Sequence, residues 1–209
     1  MKMYRPWALA AVLALPGLAS AAEAAPPSSS SSSVSDFGID ISDLIEKVAK
    51  RTGKQFIVDP RVRAVVPKTG LDIDKVDYAR LLAILTVHQY AAYESNGVVK
   101  IVPDANARQL PIPVTTEISA KTLDDEYVMV LFQAKNMCSA YAVPVLRPLM
   151  PQAAHLAAFT QANTLLIADH AANARRIIDM AERLDKAAPP GQKCPAEWLP
   201  AKTEGKPGS

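Results

Sequence analysis

Ile45-Glu46-Lys47-Val48-Ala49-Lys50-Arg51-Thr52-Gly53-Lys54-Gln55-Phe56-Ile57-Val58-Asp59-Pro60-Arg61-Val62 is the stretch on which the fold reading turns. With Leu44 just ahead of it, Ile45, Val48 and Ala49 recur at helical spacing, so one face of a helix is apolar. Gly53 closes that helix, because glycine enters the left-handed C-terminal position without a steric penalty. Gln55–Val58 is then too short for a helix and reads as a strand, ended by the turn pair Asp59-Pro60.

Upstream, Val34–Ile41 reads as a further strand, with Asp40 or Ser42 as N-cap of the helix. Asp43/Lys47 and Glu46/Lys50 stand four apart with the acid first, the favourable order for surface pairs. Downstream, Val62–Val66 reads as a third strand. Asp74 is expected to cap a second helix with Tyr78, Leu81, Leu82 and Leu85 on its apolar face. Ala91–Glu94 and Val98–Val102 flank Ser95-Asn96-Gly97, a hairpin signal because Asn-Gly tolerates positive φ. These elements make a first module over residues 34–104.

Residues 105–125 read as a connection, with one short extended piece at Ile112–Val114. A second module, 126–185, follows as strand (Tyr127–Phe132), helix (Ser139–Met150), strands (His155–Phe159 and Thr164–Ala168) and helix. Pro144 is expected to bend the first of these helices. Ala174, Ile177, Ala181 and Leu184 are the buried stripe of the last. The fold class is therefore α+β in two small modules, helices packed on one face of each sheet.

The termini set the compartment. Lys2, Arg5, the apolar run Trp7–Leu15 and Ala19-Ser20-Ala21 predict a cleaved signal peptide over residues 1–21, with an uncleaved anchor as the alternative. Residues 22–33, ending in six serines, read as a flexible linker, and 186–209 as a polar tail. Cleavage removes two of 23 basic residues and leaves 21 to balance 21 acidic ones. A near-neutral exported chain offers no electrostatic case for nucleic acid or an anionic membrane surface. No later run is long enough to insert in a bilayer as a helix. Cys138 and Cys194 in an oxidising compartment are a candidate disulfide, with two free thiols as the alternative.

The residue patterns point away from catalysis. His88, His155 and His170 are not spaced as a metal pair, and no Cys stands close to any of them. Asp72, Asp74 and Asp77 lack the Gly and distal Glu of a calcium loop. No Gly-x-Ser-x-Gly elbow or glycine-rich phosphate loop occurs. No enzyme, cofactor or metal is expected. The strand-helix-strand-strand-helix order is KH-like, but the turn that would carry a Gly-x-x-Gly clamp is Pro151-Gln152-Ala153-Ala154. RNA binding is not expected.

The quoted stretch, Ile45 to Val62, resembles the first periplasmic domain of type II secretion secretins, the general secretion pathway protein D family. Val143-Pro144-Val145-Leu146-Arg147-Pro148-Leu149, His155-Leu156-Ala157-Ala158, Asn163-Thr164-Leu165-Leu166-Ile167-Ala168-Asp169, Ala172-Asn173 and Glu182-Arg183-Leu184-Asp185 resemble the second. Together they span about residues 35–185 in the family's order. The resemblance implies a first domain like the signalling domain of TonB-dependent receptors and a KH-like second domain without nucleic-acid function. Its implied partners are the inner-membrane clamp component, secretin or pseudopilus, and cargo, with self-association compatible. No pore-forming barrel follows in these 209 residues, so the expectation is an adaptor or accessory of secretion. A periplasmic signalling module of the TonB-receptor type is the alternative.

The resemblance further implies that the first and third strands meet the clamp component. Phe37, Ile39 and Ile41 on one, and Val62, Val65 and Val66 on the other, are then the candidate partner-binding residues. The competing reading is that they only complete the module's core.

Overall fold

Asp40 is where an extended segment becomes a helix in the computed structural model, which describes residues 38–190 with Cys194 and Pro195. Strand β1 (Gly38–Asp40) runs directly into helix α1 (Ile41–Thr52). The Asp40 carboxylate accepts the Ser42 N–H at 2.8 Å and so satisfies a donor that has no partner within the helix. Ile41, Leu44, Ile45 and Val48 bury one stripe of α1. Gly53 ends it with φ 69°, its N–H donating to the Ala49 carbonyl. On the exposed side Glu46 pairs with Lys50, whereas Lys47 reaches to Asp74 at 2.7 Å and not back to Asp43.

Three boundaries differ from expectation. Ile41 is the first residue of α1, because the cap at Asp40 commits the next residue to helical geometry. Strand β3 is Val65–Pro67, and Val62 lies ahead of it in a turn where its N–H donates to the Asp59 carbonyl. Asp77, not Asp74, caps helix α2 (Tyr78–Val87), accepting the Arg80 N–H at 2.8 Å. The Asp74 N–H is taken by the Asp72 side chain, which caps a separate 3-10 turn at Ile73–Lys75. The extended Val76 ends that turn before α2 can start.

Strand β2 (Gln55–Val58) pairs in parallel with β5 (Val98–Pro103), and β4 (Tyr90–Ser95) pairs antiparallel with β5. Asn96 and Gly97, at φ 54° and 76°, supply the two left-handed positions that a tight hairpin needs. Leu44, Val48, Leu81, Leu82, Leu85 and Ile101 form the centre of the first core. β1 and β3 make a separate two-stranded ribbon beside this sheet.

Beyond β5 come the short helix α3 (Asp104–Ala107) and strand β6 (Val114–Thr115). The KH-like order follows: β7 (Tyr127–Gln133), α4 (Ser139–Leu146), β8 (His155–Phe159), β9 (Thr164–His170) and α5 (Ala171–Ala187). Helix α4 contains Pro144 and gives way after Leu146 to a 3-10 turn at Arg147–Leu149. The sheet order is β6-β7-β9-β8, so the extended piece expected at Ile112–Val114 within the connection falls at Val114–Thr115 and adds a parallel strand to the second sheet. Leu146, Leu165, Ile167 and Ile177 are fully buried in its core. A third cluster, built from Ala91, Tyr93, Ala107, Ile112, Tyr127 and Ala168, joins the two halves, and Ala92 bridges to Glu126 beside it.

Candidate protein-interaction surface

The ribbon is built around a close approach. Gly38 faces Pro67, Ile39 faces Val66 and Asp40 faces Val65. A Cβ on Gly38 would lie 2.5 Å from Val65 Cγ1 and 2.7 Å from the Val66 carbonyl oxygen, so only glycine fits. The Ile41 N–H donates to the Ala64 carbonyl at 2.9 Å, which sets the phase of the antiparallel ladder. By alternation, Ile39 and Val66 bond across the ribbon, while Asp40 and Val65 turn their backbone groups outward. The Asp40 carbonyl belongs to the start of α1. The open edge is therefore that of β3, where Val65 is 46% exposed.

The six candidate residues separate accordingly. Phe37 lies outside the described residues. Ile41 and Val62 are not on a strand edge: both are buried, one as the first helical residue and the other beneath the Asp59–Val62 turn. Ile39 and Val66 face each other across the ribbon and pack on the first core. Val65 alone of the described candidates presents its side chain at the surface.

The Asp59–Val62 turn between β2 and β3 is held by a fork. Arg61 Nε and Nη2 lie 3.0 and 2.8 Å from the two Asp59 oxygens, and the Arg61 N–H adds a third bond. The Arg61 side chain, followed by its backbone N–H, pulls the Asp59 carboxyl down to a pKa of about 2.

In the second half, Cys138 and Cys194 are joined by a disulfide with their Cα atoms 4.7 Å apart. Cys138 sits at the N-cap of α4, fully buried. Two side chains bracket the same loop. Asn163, in left-handed geometry, donates to the Ala134 and Met137 carbonyls and accepts the Ser139 N–H. Asp185 accepts the N–H groups of Lys135, Asn136 and Met137. Burial opposes its charge, but these three donors outweigh burial and hold its carboxyl below the ordinary range.

Other apolar groups are exposed where the sequence reading placed no site. Ile57 lies on edge strand β2 and Phe159 on edge strand β8. Tyr141, Val145 and Leu149 stand one turn apart along α4 and the turn after it. Their four-residue spacing was visible in the sequence, but spacing does not say which face a helix buries. Among the described residues no three His, Cys, Asp or Glu side chains gather as metal ligands. Nor is any described helix long and apolar enough to cross a membrane.

Residues 37–101 match the family described as GspD-like, N0 domain. Secretin XcpQ of Pseudomonas aeruginosa is 33% identical over 150 residues, covering 70% of this chain and 22% of XcpQ. Secretin PulD of Klebsiella pneumoniae is 30% identical over 155 residues, covering 72% and 23%. The solved Klebsiella pneumoniae type II secretion outer-membrane complex of PulD, PulS and the PulC HR domain superposes with a TM-score of 0.61 at 30% identity. That match covers 72% of this chain and 26% of its counterpart. The sequence and the fold are those of secretin N-terminal domains. The chain spans less than a quarter of the length of the curated secretins it matches. The secretin matches lend no support to the TonB-receptor-type alternative. Secretin N-terminal domains belong to a non-catalytic structural family, which agrees with the reading of this chain as no enzyme.

Proposed function

We propose that this chain is a non-enzymatic, periplasmic docking module of a type II-like secretion system, an adaptor that receives an inner-membrane partner on the open edge of β3. The observation that carries the reading is Val65, whose outward N–H and C=O stand on an unpaired edge beside an exposed side chain. An incoming extended segment satisfies such groups by adding a strand. In the Klebsiella complex the secretin is accompanied by the HR domain of PulC, a partner class that supports the assignment. The mature chain is near neutral, so affinity is expected to depend weakly on salt.

Val65→Pro tests it. Proline removes the outward N–H and leaves the bonded Ile39–Val66 pair in place. With the fold confirmed by an unchanged amide spectrum outside the ribbon, binding to the clamp component's periplasmic domain should weaken about tenfold or more, the loss of one edge bond plus a misfit strand. Unchanged affinity in the folded variant would sink the edge-strand model.

A further inference from the structure

Helix α4 is apolar on both of its faces. Residues 139–146 carry no charge, and the inward side sends Ala142 and Leu146 into the second core. The outward side runs through the following turn as Tyr141, Pro144, Val145, Pro148 and Leu149, all of them exposed. Their spacing of three and four is the one an amphipathic helix ordinarily turns toward its core. Val145 is 53% and Leu149 44% exposed. A helix that is apolar all round is normally covered all round. Single exposed apolar residues need no explanation, whereas a contiguous patch marks a surface that something covers.

The chain itself brings a cover to the head of this stripe. The disulfide fixes Cys194 to Cys138 at the N-cap of α4, with the Cα atoms 4.7 Å apart. Tyr141 and Val145 follow Cys138 at three and seven positions, the spacing of one side of a helix. Pro195 is half-buried, so the chain leaving the disulfide still lies against the protein. Residues 196–200 are Ala-Glu-Trp-Leu-Pro, and Trp198 and Leu199 are the only large apolar residues after Leu184.

The lengths match. Trp198 stands three residues past Pro195, a reach of about 10 Å in extended chain. Val145 stands seven residues past Cys138, about 10 Å along the helix axis. The charges also agree in sign. Arg147 is the only charged residue from 139 to 150, and Glu197 the only one from 194 to 200.

We propose that residues 196–200 fold back along α4, seating the Trp198 indole on Pro144 and Val145 and directing Leu199 toward Leu149. The tether spares this segment the association cost that a separate chain would meet, so a modest apolar contact suffices to hold it. The outward face of α4 is then an internal docking surface, closed to other chains while the segment occupies it. It is independent of the β3 edge, and Val65→Pro should leave it intact.

Tryptophan fluorescence tests the seat. Trp7 and Trp198 are the only tryptophans, so Trp7→Phe in the otherwise whole, disulfide-intact chain makes Trp198 the sole reporter. The reference is the peptide Ala-Glu-Trp-Leu-Pro blocked at both ends. Emission blue-shifted from the peptide's, with acrylamide quenching several-fold weaker and both independent of protein concentration, is expected. Val145→Asp, at an exposed position where the fold tolerates a charge, should return both readings close to the peptide's. Leu149→Asp is a second variant and should shift them in the same direction by less. Emission and quenching equal to the peptide's in the chain with α4 unaltered would overturn the proposal. Protection that grows with protein concentration would overturn it by making a second copy the occupant. Protection that survives both aspartate variants would overturn it as well, and its loss in Phe159→Asp instead would move the segment to β8.

Discussion

The β1–β3 ribbon and the loop Ala134–Ser139 are both short irregular pieces beside a sheet, yet they are held in opposite ways. The ribbon has three residues per strand, one close glycine contact and an outer edge left open. The loop has its backbone groups answered from two sides, by Asn163 and by Asp185, with a disulfide at its end. The backbone N–H groups of Lys135, Asn136, Met137 and Ser139 and the carbonyls of Ala134 and Met137 are thus met from within the chain. A segment whose edge is open carries an unmade ladder that a partner strand completes. The difference separates the anchored loop from the edge proposed to receive another chain, and it can be attacked from either side.

The largest effect is expected from the disulfide. The pair closes a loop with a sequence separation of 56, worth about 4 kcal/mol in the chain-entropy treatment. Replacing both cysteines by serine should lower urea-measured stability by up to about that amount, while clamp binding through β3 stays the same. Intact mass of the non-reduced protein purified from the periplasm checks the bond itself. A mass two hydrogen atoms above that of the bridged chain would refute it, and a dimer mass would make it intermolecular.

Next is Asp185→Ala, which strips the acceptor from three backbone N–H groups, one of them fully enclosed. Leaving such donors unmet should cost about 3 kcal/mol. The variant should also raise hydrogen exchange at Lys135–Met137 and leave the ribbon's exchange unaltered. A loss spread evenly over both regions would erase the contrast drawn between them.

How far the sequence revealed this can be read from particular residues. Helix α1, its stop at Gly53 and the Asn96-Gly97 hairpin follow from local rules and were legible, and the N-cap was narrowed to Asp40 or Ser42, of which the fold uses Asp40. So was the strand-helix-strand-strand-helix order, because apolar spacing switches period at each element. Asn163 and Asp185 stood within the motifs of the secretin resemblance, but their task did not show, since each acts on backbone over 20 residues away in sequence. The failures share that cause. Ile41 and Val62 looked like edge residues, and only the fold shows them buried in the first core. Strand β6, foreseen only as an extended piece at Ile112–Val114, has two residues just after Pro111 and Pro113, and its pairing with β7 could not be read locally.

Gly38→Ala attacks the other side of the comparison. The added methyl meets the Val66 carbonyl oxygen, which cannot turn aside as a flexible side chain would. Overpacking of this kind should cost about 2 kcal/mol and should splay β1 from β3, weakening clamp binding as well. The exchange rates of the Ala134–Ser139 loop should remain at their wild-type values. Stability equal to wild type would show that the ribbon gives way easily, and that its tight register is not what presents β3.

The smallest effect is the dependence on acid, and it distinguishes the two regions by degree of burial. Asp185 and Asp59 both have carboxyl pKa values lowered in the folded chain, Asp59 to about 2. The unfolded chain therefore binds more protons than the folded one over this range, so stability rises with pH there. The contribution is complete above the unfolded carboxyl value of about 4 and is lost as pH falls through the folded values. Asp59 is fork-paired at the solvent boundary, where screening weakens the coupling, whereas the Asp185 carboxylate is enclosed by backbone donors. Asp185→Asn should flatten the slope of stability against pH below about pH 4 more than Asp59→Asn does, with little difference between the two slopes near neutrality. Urea midpoints measured from pH 2 to pH 6 decide it. A larger flattening from Asp59→Asn would place the acid-sensitive anchor in the turn ahead of β3 and reverse the comparison.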